Sequence, residues 1–319
     1  MAILTVLSFA LSFVLARRIE KHFTPIFQNT VRSLVGLITF FTISLAFGIL
    51  TRLSLLPIIV SFMLMLSILF NVILGDTAYL HSQKILGPAK ALAIANTNPF
   101  FTFLFAAMFL SRPITNQMIL SGILIGIGVI ILNKRKESNL KRDIVNSTTQ
   151  LSPYESELNR EISIRVRKTT KGLFWALFAS ISWAIGLALS DYSFNQANKE
   201  LGLGILSTML AMVIRFLFAS VLLSSIAYIE GRNKSSNKLP RNRSIWGILI
   251  LSAIFSYSLG SIFFGEAVHR VGASFMALIS TALPLFTIPF SYIINKETLS
   301  KEGYIGVTIT ILGVVLIVL

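Results

Sequence analysis

The sequence predicts an all-α integral membrane protein, with ten transmembrane helices in two inverted five-helix repeats around a central cavity. Three observations carry this. The chain is 54% hydrophobic and 13% charged, whereas a soluble protein carries roughly 25% charged residues. Its apolar residues fall into runs of the length a bilayer needs, about 20 residues each. It also contains its own duplicate, because residues 75–134 align without a gap on residues 260–319, at an offset of 185. The matches fall at punctuation residues: Gly75 on Gly260, Gly87 on Gly272, Pro99 on Pro284, Gly128-Val129 on Gly313-Val314. Composition bias alone would not hold glycines and prolines in one register. Repeated membrane units of this kind place a solute site at the repeat interface, near the bilayer midplane.

The apolar segments run, in order, over about 1–16, 25–48, 56–80, 86–110 and 115–133, then 172–190, 204–228, 245–267, 272–294 and 303–319. In lipid every backbone polar group must be satisfied internally, so each segment reads as a helix. None shows the alternation of a barrel strand. The first is short, and Arg17 and Arg18 extend it by snorkelling. Between the fifth and sixth lies the longest polar stretch. The expected organisation is a first repeat over 1–133, a basic cytoplasmic linker over 134–171 and a second repeat over 172–319. Five spans per repeat is an odd number, so the two copies lie in opposite orientations.

Lys and Arg are unevenly shared between the two sides. Alternate loops starting with Arg17, Arg18 and Lys21, and including the central stretch, hold 21 of them, and the opposite loops hold 4. The positive-inside bias then places the central loop in the cytoplasm and both termini outside. The same bias accounts for the net charge of +15, so no nucleic-acid partner is expected. No basic segment precedes residues 1–16, and no signal-peptide cleavage site follows them. Cysteine is absent, which excludes disulfides, thiol catalysis and Cys-ligated metal. No phosphate-binding loop, no metal-ligand spacing and no nucleophile–base set occurs, so neither a cofactor nor an enzymatic activity is expected.

Ionisable and amide residues inside apolar segments are costly and mark candidate pathways. Asp76 in the third segment is a candidate site for a proton, a cation or a substrate amine, and Glu266 in the eighth is a second. Asn71, Gly75 and Tyr79 fall on one helical face with Ala78. Asn96 and Asn98 precede Pro99, which frees the carbonyl of Ala95. The second copy has Thr281 and Leu283 in their place, so the duplicated frame carries an asymmetric polar site. Arg32 and Arg215 occupy the second span of each repeat, as anion ligands or as fixed structural cations. Trp183 and Tyr257 are candidates for an aromatic cavity wall, or for an interfacial belt. Candidate hinges are Gly75, Gly87, Gly260 and Gly272 with Pro99, Pro284 and Pro289.

The chain resembles the drug/metabolite transporter superfamily, in its EamA-like ten-span branch. The first copy reads Gly87…Pro99…Ser111-Arg112-Pro113-Ile114-Thr115…Gly128-Val129, and the second Gly272…Pro284…Lys296-Glu297-Thr298-Leu299…Gly313-Val314. Arg112 departs from the family pattern, which has an acid there. Gly172-Leu173-Phe174-Trp175 with Ser182-Trp183-Ala184 resembles the opening span of a repeat. The resemblance implies a secondary active carrier in a prokaryotic cell membrane. It would export small polar metabolites, amino acids or drug-like solutes by alternating access, with protons as the candidate coupling ion and the lipid bilayer as its surroundings. Cytoplasmic termini would follow from it, against the charge count. The alternative is a membrane scaffold or sensor that docks a partner or anionic lipid on the basic central loop. A linker tolerates shortening and a docking site does not.

Overall fold

The computed structural model describes residues 1–102, 154–233, 240–280, 282–296 and 301–318, with isolated positions between 116 and 131. The described residues are helical or in turns, and none is in a strand. Residues 103–110 of the fourth expected span, the Arg112 turn, most of the fifth expected span, the first half of the linker and residues 297–300 lie outside them.

The first helices are α1 (Ala2–Ile19), α2 (Pro25–Ala46) and α3 (Ile58–Leu86). Each begins or ends where its sequence dictates. Thr24 caps α2 by accepting from the Phe27 amide at 3.2 Å, with Pro25 in the first turn, where a missing N–H costs nothing. After Gly87 comes α4 (Pro88–Ala95), then α5 (Tyr154–Leu201) and α6 (Ile205–Asn233). The last four are α7 (Arg243–Arg270), α8 over 273–280, α9 (Leu283–Asn295) and α10 (Lys301–Val318). Six of these are long and apolar enough to cross a membrane: α1, α2, α3, the 167–201 part of α5, α6 and α7.

Three sequence expectations need correction. Helix α3 runs to Leu86, beyond the expected end at 80, because only Gly87 at φ +87° stops it. Helix α5 starts at Tyr154, inside the stretch read as linker, since nothing between there and Gly172 breaks a helix. The fourth and ninth expected spans are not continuous. Helix α4 ends at Ala95, and the chain turns through Asn96-Thr97 before becoming helical again at Asn98; α8 ends at Ser280, and α9 starts at Leu283.

These departures recur at the offset of 185. Thr97 donates to Ile94 O and Phe100 to Thr97 O; Ala282 donates to Ile279 O and Leu285 to Ala282 O. Each pair of bonds is the other moved by the same offset. Both copies also contain a wide π-type segment, Leu69–Asp76 within α3 and Ile254–Gly260 within α7. Such segments leave a backbone carbonyl short of its usual partner and tend to sit at functional sites. Gly87 at φ +87° and Gly272 at φ +79° end the helices that contain the π segments, a backbone region that L side chains rarely adopt.

Glycine inside the π segments answers a close approach. A Cβ on Gly75 would lie 2.4 Å from Trp183 Cδ1, and one on Gly260 would lie 2.6 Å from Phe9 Cε1. So the eighth-span glycine seats the first helix of the chain, and the third-span glycine seats α5. Helix α2 packs along α6, where Phe40 stacks on Phe216 with ring planes 8° apart. Large apolar residues such as Ile38, Phe62 and Leu217 stay exposed, as lipid-facing positions require. Replacing Gly75 with Ala should destabilise the fold by about 1–3 kcal/mol through overpacking. Thermal unfolding of the detergent-purified variant would measure it, and Gly231→Ala, which meets nothing within 4 Å, is the control.

Candidate functional site

The two helix breaks meet. Asn96 Nδ2 donates to Ser280 O at 2.8 Å, tying the turn after α4 to the end of α8. Around this junction lies a cavity of about 110 Å³, far more than a single water needs. Its lining pairs up at the same offset: Asn71 with Ser256, Val72 with Tyr257, Asp76 with Ser261, Asn98 with Leu283. In each pair one member is the more polar. Equivalent positions of the two copies therefore meet at the wall with different chemistry.

Asp76 is 9% exposed and sits at the end of the first π segment. Its Oδ1 accepts from Trp183 Nε1 at 2.9 Å, and its Oδ2 accepts from the Tyr257 hydroxyl at 2.5 Å. Trp183 belongs to α5 and Tyr257 to α7, so one carboxylate joins both halves of the chain. The Trp183 N–H also reaches the Asn71 carbonyl at 3.1 Å, the acceptor that the widened turn exposes. Charge-assisted bonds of this kind are stronger than neutral ones.

The two arginines have different surroundings. Arg32 is fully buried, and each of its three nitrogens is bonded: Nε to Ser256 Oγ at 3.1 Å, NH1 to Asn29 Oδ1 at 2.9 Å, NH2 to Ser12 Oγ at 3.1 Å. Its guanidinium lies 4.5 Å from the Tyr257 ring centroid, a cation–π contact. Tyr257 thus touches Arg32 with its face and Asp76 with its hydroxyl. Arg215 is 3% exposed and has one side-chain bond, from NH1 to Ser190 Oγ at 3.0 Å, with its guanidinium 5.0 Å from the Phe194 ring centroid. Its Nε has no partner, and no carboxylate pairs with it among the described residues.

Most of the pathway candidates from the sequence line this one cavity: Arg32, Asn71, Asp76, Asn96, Asn98, Trp183, Arg215 and Tyr257. Two do not. Tyr79 is buried in an aromatic cluster, its ring 4.5 Å from Phe13 and 5.6 Å from Trp183. Glu266 is not part of the cavity lining; its Oε1 is ion-paired with Arg270, one turn along α7, and its Oε2 is buried without a partner. Of the hinge candidates, Gly87 and Gly272 lie at the positive-φ breaks and Pro99 and Pro284 just after the turns, while Pro289 is exposed on α9. The serines that hold the arginines, Ser12, Ser190 and Ser256, were not singled out from the sequence. Hydroxyls in apolar helices are common packing groups, and only their contacts distinguish these three. Asp191, one residue past the expected end of the sixth span, accepts from the Ala273 amide at 3.1 Å and so caps α8.

The profile of the EamA-like transporter family matches residues 1–134 and 170–319. The chain belongs to the EamA-like transporter family. Its long apolar helices are accordingly membrane spans, and the protein is a multi-pass integral membrane transporter. An uncharacterized transporter of Archaeoglobus fulgidus is 23% identical over 257 residues, covering 80% of this chain and 75% of that protein. A crystal structure at 15% identity covers 99% of this chain and 94% of its own, with a TM-score of 0.62, and so shares the fold.

Proposed function

We propose that the chain is a secondary active carrier that moves small polar metabolites, amino acids or drug-like solutes through this cavity, in the direction of export. The reading rests on one observation above all: two arginines, one aspartate and three asparagines converge on a cavity at the junction of two broken helices. Broken helices build solute sites in transporters because their free backbone ends face the substrate. In this reading the chain forms ten spans in two inverted repeats, with a cytoplasmic linker between them. Rocking of one half against the other about Gly87 and Gly272 opens the cavity to each side in turn. Asp76 holds both halves through Tyr257 and Trp183, so it is the group through which a proton would act on that motion.

Counterflow in proteoliposomes tests the carrier reading. Purified protein is reconstituted with a panel of unlabelled solutes inside and the labelled form outside, with and without an imposed proton gradient. Saturable counterflow of one compound, lost in a folded Asn96→Leu variant, is the expected result. A folded protein that exchanges nothing across the panel would overturn the reading.

A further inference from the structure

We infer that Arg215 is the residue that binds substrate, that it takes a carboxylate, and that Arg32 is a structural cation with no such role. This rests on the carrier reading of the same cavity and names the chemistry of its solute. The asymmetry between the two arginines carries it. Arg32 has a bonding partner on every nitrogen, and Tyr257 links it to the carboxylate of Asp76. Its charge has a neighbour of opposite sign and its fork is filled. Arg215 is as deeply buried and lines the same cavity, but it has a single hydroxyl partner and an orphaned Nε.

A buried cation without a counter-charge is costly, and the cost falls when an anion arrives. None of the described protein residues supplies it, and the cavity that Arg215 lines is where a solute can. Three features narrow its chemistry. A guanidinium fork matches a planar carboxylate through two parallel N–H bonds. The space is small, and rings of Phe9, Phe13, Phe216 and Phe264 close much of it, which suits one charged end on an apolar body. Asp76 stands on the opposite count: its two oxygens are already engaged by Tyr257 and Trp183, and a second negative charge would not be stabilised beside it. The site of the anion is therefore the α5–α6 side of the cavity, where Ser190 holds the other edge of Arg215 and is itself held by Asn71 Nδ2 at 3.1 Å. The Asn96 carbonyl adds an acceptor for a donor group on the same solute. Its amide orientation is fixed by the bond to Ser280, and its Oδ1 is buried without a partner.

Matched acids and amides test this on the full-length protein in detergent. The probes are benzoate against benzamide, 4-methylpentanoate against 4-methylpentanamide, L-leucine against L-leucinamide, and inorganic phosphate. Stabilisation against thermal unfolding is titrated for each. At least one acid should stabilise the wild-type protein at least about tenfold more potently than its amide, the scale of a charge-assisted bond. Arg215→Gln should erase that preference. Arg215→Lys, which keeps the charge without the fork, should retain the preference with weaker binding, and it serves where the glutamine variant fails to fold.

Equal potency of acids and amides, no response to any acid, a preference that survives in Arg215→Gln, or protection by phosphate in place of carboxylates would each overturn the inference. The two readings fail separately. Counterflow of solutes without acid preference would sink the carboxylate and leave the carrier. Arg215-dependent carboxylate binding with no counterflow would sink the carrier and leave the site.

Discussion

Replacing Arg32 with Met should cost on the order of 3 kcal/mol of stability, the largest effect expected of any single substitution in the cavity. The side chain is fully buried and bonds three separate helices: its own α2 through Asn29, α1 through Ser12 and α7 through Ser256. Methionine fills much of the volume but leaves the Asn29 carbonyl and the ring face of Tyr257 without their cation. A buried polar group stripped of its partner costs about 1–3 kcal/mol, and more when a charge is involved. Tyr257 would lose its support on one side while still donating to Asp76, so the damage reaches the carboxylate. Lysine at the same position should recover little, since a point charge on a flexible stem cannot bridge Ser12, Asn29 and Ser256 together. Thermal unfolding of Arg32→Met, Arg32→Lys and Arg215→Gln side by side is the measurement. The two Arg32 variants should unfold at clearly lower temperature than Arg215→Gln, which has one hydroxyl bond to lose. Equal losses at the two arginines would refute the division of labour between them.

Asp76→Asn should separate the charge of the carboxylate from its geometry. The amide is nearly isosteric. Its Oδ1 can still accept from Trp183, and its Nδ2 can donate to the Tyr257 oxygen. The fold should therefore persist, with an unfolding temperature close to the parent. What disappears is the negative charge that a proton could neutralise. Gradient-driven accumulation should fall at least about tenfold, and the remaining exchange should be flat with pH, whereas the parent varies with pH. Counterflow, which needs no gradient, should survive. Transport by Asp76→Asn with an unchanged pH profile would remove Asp76 from the coupling step. Asp76→Ala is the complementary variant. It strands the Trp183 N–H and the Tyr257 hydroxyl in a buried site and should lower stability as well as transport.

Much of this site was legible as chemistry before it was visible as geometry. A charged or amide residue in an apolar run must face protein or water, and that rule alone selected Asp76, Asn96 and Arg215. It could not separate Arg215 from Arg32, because the difference lies in serines that look alike in sequence. It also pointed to Glu266, whose partner Arg270 stands one turn away; the spacing of four was present in the sequence, and it marks an ion pair as readily as a pathway. The duplication was legible because glycine and proline tolerate few replacements at breaks. The position of each break was not. Pro99 and Pro284 suggested a kink within one helix, whereas the turns fall before the prolines, which sit in the first turns of new helices where an absent N–H does no harm. The extension of α5 to Tyr154 was hidden by polarity: a helix outside the bilayer needs no apolar run.

The paired π segments make the cavity sensitive to chain length as well as to side chains. Each residue added to or removed from an α-helix turns everything beyond it by about 100°. The widened turns at Leu69–Asp76 and Ile254–Gly260 absorb part of such a rotation. Removing one residue from the first would let α3 close to regular geometry and swing Asp76 and Tyr79 off their present bearings. The lipid-facing stripe of the preceding turns would stay where it is. A one-residue deletion at 69–74 would then behave as a wholesale exchange of the cavity wall, although nearly every side chain remained in the protein.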